Sequence, residues 1–600
     1  MTIRQNGALT RGLACWLLAA ALLTGCLPPG ATPRLSASHP VPPTATHTPA
    51  PPTATATPAP PTATPSPLRI WFDSDVPAAV RSLATVALAG QNLALARSAA
   101  GADLRVSLNA GSPLARWVYV IVAPFPTLAD GVRWSEVQDF WAGRSGALSE
   151  ISASHESPTL FVSADTLSVL QGLLGVPGAQ APICVTASAA LVDQAWAASA
   201  RPAAGGAASA RPASGGTGRP GAWAIVPFDE LDPRWKALRL DGASVLDKGM
   251  DVGRYPLALS IGAQGRAAPV LSTALVKAAS ARPAAGGAGK VVTNREPERM
   301  TVLVMTGVTA LVRGIADRME RLGIFYPAEY VGALLRDADV THISNEVSFA
   351  PDCPPPDPRS QSLAFCSNPK YMQLLKAVGT DVIELTGNHV KDYGSQPMLY
   401  TLDTYDREGI PYFGGGRNLE DARKPLIVSK NGVKFGFIGC NPVGPENAWA
   451  TADRPGAAPC DYEYVHSQLG LLKAQVDVPI ATLQYWEFYQ YAPTPQQRAD
   501  FRGMVDAGAV IVSGSQAHHP QGFEFYQGAF IHYGPGNLFF DQMWSLGTRQ
   551  EVVDRHVIYD GRHVSTELYT YLLEDSAQPR PMTAQERTAL LTALFKASDW

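Results

Sequence analysis

The chain has 600 residues, which is enough for two to four domains that bury their own cores. Its formal net charge is −4 and only 17% of its residues are charged, so it lacks the basic excess that binds nucleic-acid phosphates. Beyond the N-terminus, no apolar run reaches the ~20 residues of a membrane-spanning helix. We therefore expect no nucleic acid among its partners. The 51 prolines exceed the average share and must lie largely outside regular elements.

An export signal is predicted for residues 1–25. Arg4 and Arg11 come before an apolar run at 12–23, which has the length of a signal-peptide core. The run ends in Leu-Thr-Gly-Cys26, which resembles the bacterial lipobox and implies cleavage before Cys26 and acylation of its sulfur. The alternative is an ordinary signal peptide with a chance cysteine. We expect an extracytoplasmic protein that is lipid-anchored to the cell membrane.

Residues 26–67 form a predicted stalk that is rich in proline and threonine. The pentapeptide Pro-Pro-Thr-Ala-Thr occurs three times, at 42–46, 51–55 and 60–64. Such a segment cannot bury enough apolar surface to fold, and it favours extended polyproline II structure. At ~3.1 Å per residue it would hold a folded domain on the order of 100 Å from the bilayer.

An α/β domain is predicted for residues 68–278, because strand patterns alternate there with helical ones. Predicted strands lie at 68–72, 117–123, 159–162 and 223–227, and predicted helices at 76–90 and 163–174. Residues 199–222 carry a low-complexity insert, for which we predict a surface loop. The segment 223–261 resembles the second lobe of a periplasmic solute-binding domain; an unrelated α/β domain is the alternative.

The rest of the chain is predicted to contain a linker, a second α/β domain and a final helix. The linker spans 279–297 and repeats, at 280–288, the Ser-Ala-Arg-Pro-Ala-Ala-Gly-Gly-Ala sequence of the insert. The second domain spans 298–576, where apolar strand patterns again alternate with helices. Residues 577–600 contain a capping box that begins at Thr583 and opens the final helix.

Five cysteines lie beyond the stalk. In an oxidising compartment the economical pairings are Cys353 with Cys366 and Cys440 with Cys460, because each closes a short loop. Neither spacing is that of a zinc-binding Cys-x-x-Cys motif. Cys184 is left without a partner.

The sharpest polar motif follows the strand predicted at 382–385. Gly387 lets the backbone turn, and Asn388 and His389 then project together as a plausible metal-binding pair. Asp392, one turn further on, would orient the imidazole. The alternative is a helix N-terminus with polar caps. Other polar side chains that follow predicted strands are Asn345, Glu346, Glu487 and His518.

The order of these motifs resembles the CapA family of capsule-synthesis proteins. The matching segments are Asn345-Glu346, Thr386-Gly-Asn-His-Val-Lys-Asp-Tyr-Gly394, Gly409-Ile-Pro-Tyr-Phe-Gly-Gly-Gly416, the region of Glu487, Gly514 to His518, and Tyr533 to Asp541. The resemblance implies a metallophosphoesterase-like domain, a two-sheet α/β sandwich, and a role in poly-γ-glutamate production. It also implies a metal-dependent hydrolase of the metallophosphoesterase-like superfamily.

Three positions depart from the family pattern and weaken a two-metal site. Val308 stands where the family carries an aspartate, Gln516 replaces the first histidine of a His-x-His pair, and no histidine precedes Glu487, where Gln484 lies. The metal ligands that remain are Glu346, Asn388, His389 and His518. They could hold one divalent ion (Mn, Fe or Zn) completed by water, or equally form a neutral polar pocket. Glu487 or Asp392 would assist proton transfer.

Two functions therefore remain open. The first is a metal-dependent enzyme that acts on poly-γ-glutamate or a similar anionic envelope polymer, together with other capsule-synthesis proteins. The second is a non-catalytic lipoprotein that binds polymer or solute. The loss of the aspartate at position 308 favours the second, and the surviving histidines favour the first.

Overall fold

The structure is a computed structural model, and it describes residues 66–89, 92–152, 155–199, 221–280 and 291–600. The predicted signal peptide, Cys26 and nearly all of the predicted stalk lie outside the described residues. So do residues 200–220 of the insert and 281–290 of the linker. Within the described part of the chain, no helix is both long and apolar enough to cross a bilayer.

The first α/β region is built on one large sheet. Its strands are β1 (Leu68–Phe72), β2 (Leu93–Leu95), β3 (Leu104–Leu108), β4 (Ser112–Pro124), β5 (Gly131–Val132), β6 (Thr159–Val162), β7 (Ile183–Val185), β8 (Ala222–Pro227), β9 (Trp235–Ala237), β10 (Arg239–Leu240), β11 (Ala258–Gln264) and β12 (Val292–Thr293). Its helices are α1 (Ala78–Ala87), α2 (Trp134–Trp141), α3 (Ala164–Leu174), α4 (Leu191–Ser199) and α5 (Ala268–Ser280). The strand order of the large sheet is β2-β1-β3-β11-β4-β8-β6-β7, with β9 and β12 also paired to β4.

The long strand β4 forms the centre of this sheet. Its segment from Trp117 to Ala123 is buried without alternation, which is the pattern of a strand covered on both faces. Trp223 and Phe140 pack edge to face against one another at 4.9 Å on this core. The continuous apolar run therefore gives a central strand because both of its faces are covered.

The second α/β region consists of two facing sheets and their helices. Its strands are β13 (Met300–Thr309), β14 (Val340–Asn345), β15 (Val382–Glu384), β16 (Tyr412–Phe413), β17 (Gly415–Gly416), β18 (Leu426–Lys430), β19 (Val433–Cys440), β20 (Gly456–Ala457), β21 (Val478–Gln484), β22 (Ile511–Ser515), β23 (Phe523–Tyr526), β24 (Ala529–His532), β25 (Asn537–Phe539), β26 (Gln550–Tyr559), β27 (Arg562–Glu574) and β28 (Gln578–Pro581). Its helices are α6 (Arg313–Leu322), α7 (Gly332–Arg336), α8 (Met372–Ala377), α9 (Ser395–Glu408), α10 (Leu419–Ala422), α11 (Tyr462–Lys473), α12 (Pro495–Ala507), α13 (Leu546–Arg549) and α14 (Ala584–Ala597).

The two sheets of this region share one apolar core. The first has the order β16-β15-β14-β13-β26-β27-β28 and the second β18-β19-β21-β22-β24-β23. Met305 and Val340 of the first sheet pack in one cluster with Phe437, Ile480 and Phe530 of the second. The predicted α/β fold with a two-sheet sandwich is confirmed, because apolar side chains on the inner face of each sheet bury one another.

Two disulfides tie the loops of this region. They join Cys353 to Cys366, with Cα atoms 5.8 Å apart, and Cys440 to Cys460, with Cα atoms 4.9 Å apart. These are the pairs that loop length favours. Cys184 is free and partly buried.

Two segments differ from their predicted roles. Residues 292–294 of the predicted linker pack on the first region, because β12 pairs with β4 and the side chain of Asn294 bonds both backbone groups of Val118. In the second region, residues 578–581, which were assigned to the C-terminal helical segment, form β28 and add an edge strand next to β27. Short strands of this kind have too few residues to show a hydrophobic period, so only the pairing identifies them.

Candidate active site

The candidate site lies where both sheets of the second region present the carboxyl ends of parallel strands. Strands β13, β14 and β15 are parallel neighbours in one sheet, and β21 and β22 are parallel neighbours in the other. The loops that follow them carry Glu346, His389, Glu487 and His518. Polar residues that are far apart in sequence therefore meet at one edge of the sandwich, as is usual in α/β folds.

We call Glu346, His389 and Asp392 the ionic cluster. Asp392 Oδ2 lies 2.6 Å from His389 Nδ1 and also accepts a hydrogen bond from the backbone N–H of Phe365. The Nδ1 proton is thereby fixed on the side of Asp392, and Nε2 points towards Glu346, whose Oε1 is 3.7 Å away. The ring is therefore oriented by the aspartate that the sequence predicts for this purpose.

The backbone brings the two loops of the ionic cluster together. Val347 and His389 form an isolated parallel bridge. A Cβ atom on Gly387 would lie only 2.6 Å from the Cα of Glu346, so glycine is required for this close approach. The glycine that the sequence motif places before Asn388 thus permits contact between the loops.

Charge in the ionic cluster is only partly compensated. Glu346 is 1% exposed, and neither of its carboxylate oxygens has a hydrogen-bond partner among the described residues. Burial by itself lowers the pKa of His389, but the hydrogen bond to Asp392 and the charges of Glu346, Asp392 and Glu487 outweigh it and raise that pKa. A buried carboxylate without hydrogen bonds is costly, so the cluster favours a cationic group beside Glu346.

We call Asn388, Gln484, Ser515 and Gln516 the amide cluster. The Nε2 group of Gln484 donates to Gln516 Oε1 at 2.8 Å and to Asn388 Oδ1 at 3.2 Å. Its Oε1 accepts a hydrogen bond from the hydroxyl of Ser515. The carbonyl oxygens of Asn388 and Gln516 are therefore already bonded to a protein donor, and the amide nitrogen of Gln516 donates to Glu487 Oε1 at 3.4 Å.

His518 lies between the amide cluster and the opening of the site. Its Nδ1 is 2.8 Å from Asn537 Oδ1, and its Nε2 is 3.9 Å from Glu487 Oε1. Asn537 also donates to the backbone oxygen of Thr548. Both Gln516 and His518 have positive φ angles, of 68° and 50°, so this loop holds non-glycine residues in the left-handed region. Such conformations persist where the surrounding structure fixes side chains in place.

We call Phe365, Phe540 and Arg313 the aromatic wall, and its two rings contact His389 and His518. The ring centroid of Phe365 is 4.6 Å from that of His389, and that of Phe540 is 5.3 Å from that of His518. The guanidinium of Arg313 lies over both phenylalanine rings, at 5.0 and 5.1 Å from their centroids. Sequence reasoning did not identify this wall, because no spacing relates residues 313, 365 and 540.

Val308 lies in a cluster of buried apolar side chains beside the aromatic wall. It is fully buried in a small cluster with Val347, Phe365 and Phe540. The position at which the family pattern has an aspartate is therefore packed with apolar atoms. A carboxylate there would be buried against hydrocarbon.

The four predicted metal ligands do not form one complete donor set in the described part of the chain. Within the described part of the chain, no group of three or more His, Cys, Asp or Glu side chains is placed to hold a metal ion. Of the four predicted ligands, Glu346 and His389 face one another, Asn388 is bonded to Gln484, and His518 lies near Glu487. The unpartnered carboxylate of Glu346 and the Nε2 of His389 are the donors that remain for one ion.

A known family model matches the part of the chain that forms this site. Residues 302–542 match the model described as bacterial capsule synthesis protein PGA_cap. Over these residues, the second α/β region is similar to the CapA capsule-synthesis family. The matched segment runs from β13 to the loop after β25, and so includes the ionic cluster, the amide cluster and the aromatic wall.

Two curated relatives carry the CapA name. The chain is 26% identical over 298 residues to the capsule biosynthesis protein CapA of Bacillus anthracis, which covers 49% of this chain and 72% of that protein. It is 28% identical over 236 residues to the PGA biosynthesis protein CapA of Bacillus subtilis (strain 168), which covers 39% of this chain and 61% of that protein. The matched part thus spans less than two thirds of the second relative.

Two solved structures align with part of the chain. A 5′-nucleotidase precursor from Thermus thermophilus aligns with 50% of this chain and 59% of its own length, at 15% identity and a TM-score of 0.27. An ABC-type phosphate transport receptor from Vibrio cholerae aligns with 36% of this chain and 95% of its own length, at 12% identity and a TM-score of 0.25.

Proposed function

We propose that this protein acts at the cell envelope in the synthesis, processing or export of poly-γ-glutamate or a similar anionic capsule polymer. The family match over residues 302–542 and the two CapA relatives support this proposal. The predicted lipid anchor at Cys26 and the stalk would place the domains outside the cytoplasmic membrane. Other capsule-synthesis proteins would be its partners there.

The observation that carries the chemistry is the buried, unpartnered carboxylate of Glu346 beside the oriented imidazole of His389. These two side chains would hold one divalent ion of the Mn, Fe or Zn type, with His518 and Asn388 as outer neighbours. A bound divalent ion supplies a polarising charge for a carbonyl or phosphoryl oxygen. Asp392 fixes the His389 tautomer, and Glu487, which is exposed at the opening, is the side chain placed to exchange a proton with a substrate.

Elemental analysis of the purified full chain tests the ion. We expect about one divalent ion per chain, lost in both His389→Ala and Glu346→Gln because each removes one of two donors. His155→Ala, which alters an exposed histidine of the first region, is the matched control and should retain the ion. Metal-free wild-type protein with an intact circular dichroism spectrum would contradict the proposal.

The alternative is a non-catalytic polymer-binding protein, and the amide cluster favours it. Gln484 bonds the oxygens of Asn388 and Gln516, so that side of the site needs no ligand to be stable. A titration of the full chain with poly-γ-glutamate after chelator treatment would distinguish the two. Binding without metal and without hydrolysis would support the alternative.

A further inference from the structure

Exposed aromatic side chains surround the opening of the candidate site. We call Glu487, Tyr489 and Trp544 the mouth. Tyr489 is 47% exposed and Trp544 is 61% exposed, and their rings meet edge to face at 5.9 Å. The hydroxyl of Tyr489 donates to Glu487 Oε2 at 3.0 Å, and its ring stacks beside His518 at 6.4 Å. The mouth is therefore continuous with the interior of the site.

The charge around the mouth is negative. Glu487 stands at the opening with its side chain 44% exposed, and Glu346 and Asp392 lie behind it. Two cations of the surrounding loops are engaged elsewhere: Lys391 donates to the backbone oxygens of residues 449 and 455, and Arg313 pairs with Asp541. Even when His389 is protonated, its single positive charge is outnumbered by the three carboxylates of Glu346, Asp392 and Glu487.

The buried carboxylate of Glu346, on which the proposed function rests, adds to the negative charge behind the mouth. Both of its oxygens are enclosed and lack hydrogen-bond partners among the described residues. Exposed aromatic faces next to a carboxylate are the combination that recognises ammonium groups, because the ring quadrupole and the carboxylate both attract positive charge. The mouth has both elements, because the aromatic ring of Tyr489 is joined to the carboxylate of Glu487 by a hydrogen bond from its hydroxyl.

The inference rests on the proposed function, because it uses the chemistry of the polymer. A γ-linked glutamate chain forms its peptide bonds through the side-chain carboxyl, so each repeat keeps a free α-carboxylate. Its one ammonium group is at the amino end of the chain. The carboxylates of the site repel the repeats, and they attract only the ammonium group, which shares its carbon with the α-carboxylate of the first repeat.

We propose that Glu487, Tyr489 and Trp544 bind the terminal ammonium group of the polymer, so that the site receives the end of the chain rather than its interior. The α-carboxylates of the following repeats then lie outside the mouth. An ion at Glu346 and His389 is compatible with this arrangement, because the ammonium group is held at the opening.

Binding of two synthetic probes to the full chain tests the inference. The probes are a γ-linked glutamate decamer with a free amino end and the same decamer acetylated at that end, each titrated at low ionic strength by calorimetry. Acetylation removes the charge and leaves the repeats unchanged. We expect the acetylated probe to bind about tenfold more weakly, a difference of about 1.4 kcal/mol.

Variants of the mouth locate the effect. Trp544→Ala and Glu487→Gln should reduce the preference for the free amino end to about twofold or less, since each removes one attraction for ammonium. Tyr330→Ala, which removes an exposed aromatic from another part of the domain, should keep the full preference. Both test residues are exposed, so their replacement should leave the thermal unfolding midpoint unchanged.

The outcomes separate this inference from the proposed function. Equal binding of both probes would overturn recognition of the chain end and leave the polymer assignment standing. No binding of either probe would overturn both. A preference that persists in Trp544→Ala and Glu487→Gln would place the ammonium site elsewhere and overturn the assignment to the mouth.

Discussion

The ionic cluster belongs to loops that follow one sheet, whereas the amide cluster joins both sheets, and the two clusters satisfy their polar groups in different ways. In the amide cluster, Gln484 uses its nitrogen and its oxygen on neighbouring side chains. In the ionic cluster, Asp392 orients His389, but Glu346 is left buried without a hydrogen bond to any described residue. In the first arrangement each side-chain amide oxygen has a donor, whereas in the second the carboxylate of Glu346 has none among the described residues.

This difference follows from the residue types at equivalent strand ends. An amide carries both a donor and an acceptor, so a set of amides can close a network among its own members. Carboxylates accept only, so a carboxylate pair around one imidazole leaves lone pairs unfilled. The half that carries amides therefore needs no ligand, and the half that carries carboxylates does.

The largest expected effect comes from the ion pair behind the aromatic wall, which contacts His389 of the ionic cluster. Asp541 accepts from Arg313 at 2.7 Å and from the backbone N–H of Gly314, and Arg313 in turn backs the aromatic wall. Asp541→Ala leaves this largely buried guanidinium without its partner, so we expect a loss of about 3 kcal/mol in the free energy of unfolding, measured with urea.

An exposed ion pair is the control for that substitution. Asp403 pairs with Arg417 on the surface of α9, and Asp403→Ala should cost less than about 1 kcal/mol. Equal losses in the two variants would show that the wall is not supported through Asp541.

A smaller loss in the free energy of unfolding is expected when the hydrogen bonds of the amide cluster are removed. Gln484→Leu removes hydrogen bonds to Asn388, Gln516 and Ser515 and leaves buried polar groups unsatisfied, which should cost about 2 kcal/mol in urea unfolding. The exposed Gln475→Leu is the matched control and should be near neutral. If the Gln484 variant is as stable as wild type, the network is not self-sufficient in the way that its geometry indicates.

The smallest effect, and one of opposite sign, is expected in the ionic cluster. Glu346→Gln removes a buried charge that has no hydrogen bond among the described residues, so chelator-treated protein should gain about 1 kcal/mol in the free energy of unfolding. The same measurement on untreated protein should show a smaller gain or a loss, because wild type alone keeps the ion. A clear loss after chelation would mean that Glu346 stabilises the fold and would remove the contrast between the two clusters.

Local sequence signals were enough to place the elements and the loops that carry polar side chains. Buried strands such as Thr159–Val162 and helices such as Ala584–Ala597 lie where apolar periodicity and a capping box predict them. Each of these signals depends on residues within one element or one turn. The motif around Asn388 and His389 was also readable, because glycine and polar residues follow a strand there.

How those loops combine depends on the packing of the two sheets. The bond between Gln484 and Asn388 joins residues from two sheets, and the wall of Arg313, Phe365 and Phe540 joins three separate segments. No sequence period connects such positions, because the contact depends on how two sheets pack rather than on spacing along the chain. The same packing enclosed Glu346 away from donors, and that single buried carboxylate distinguishes a site that favours a cation from a polar pocket that is already satisfied.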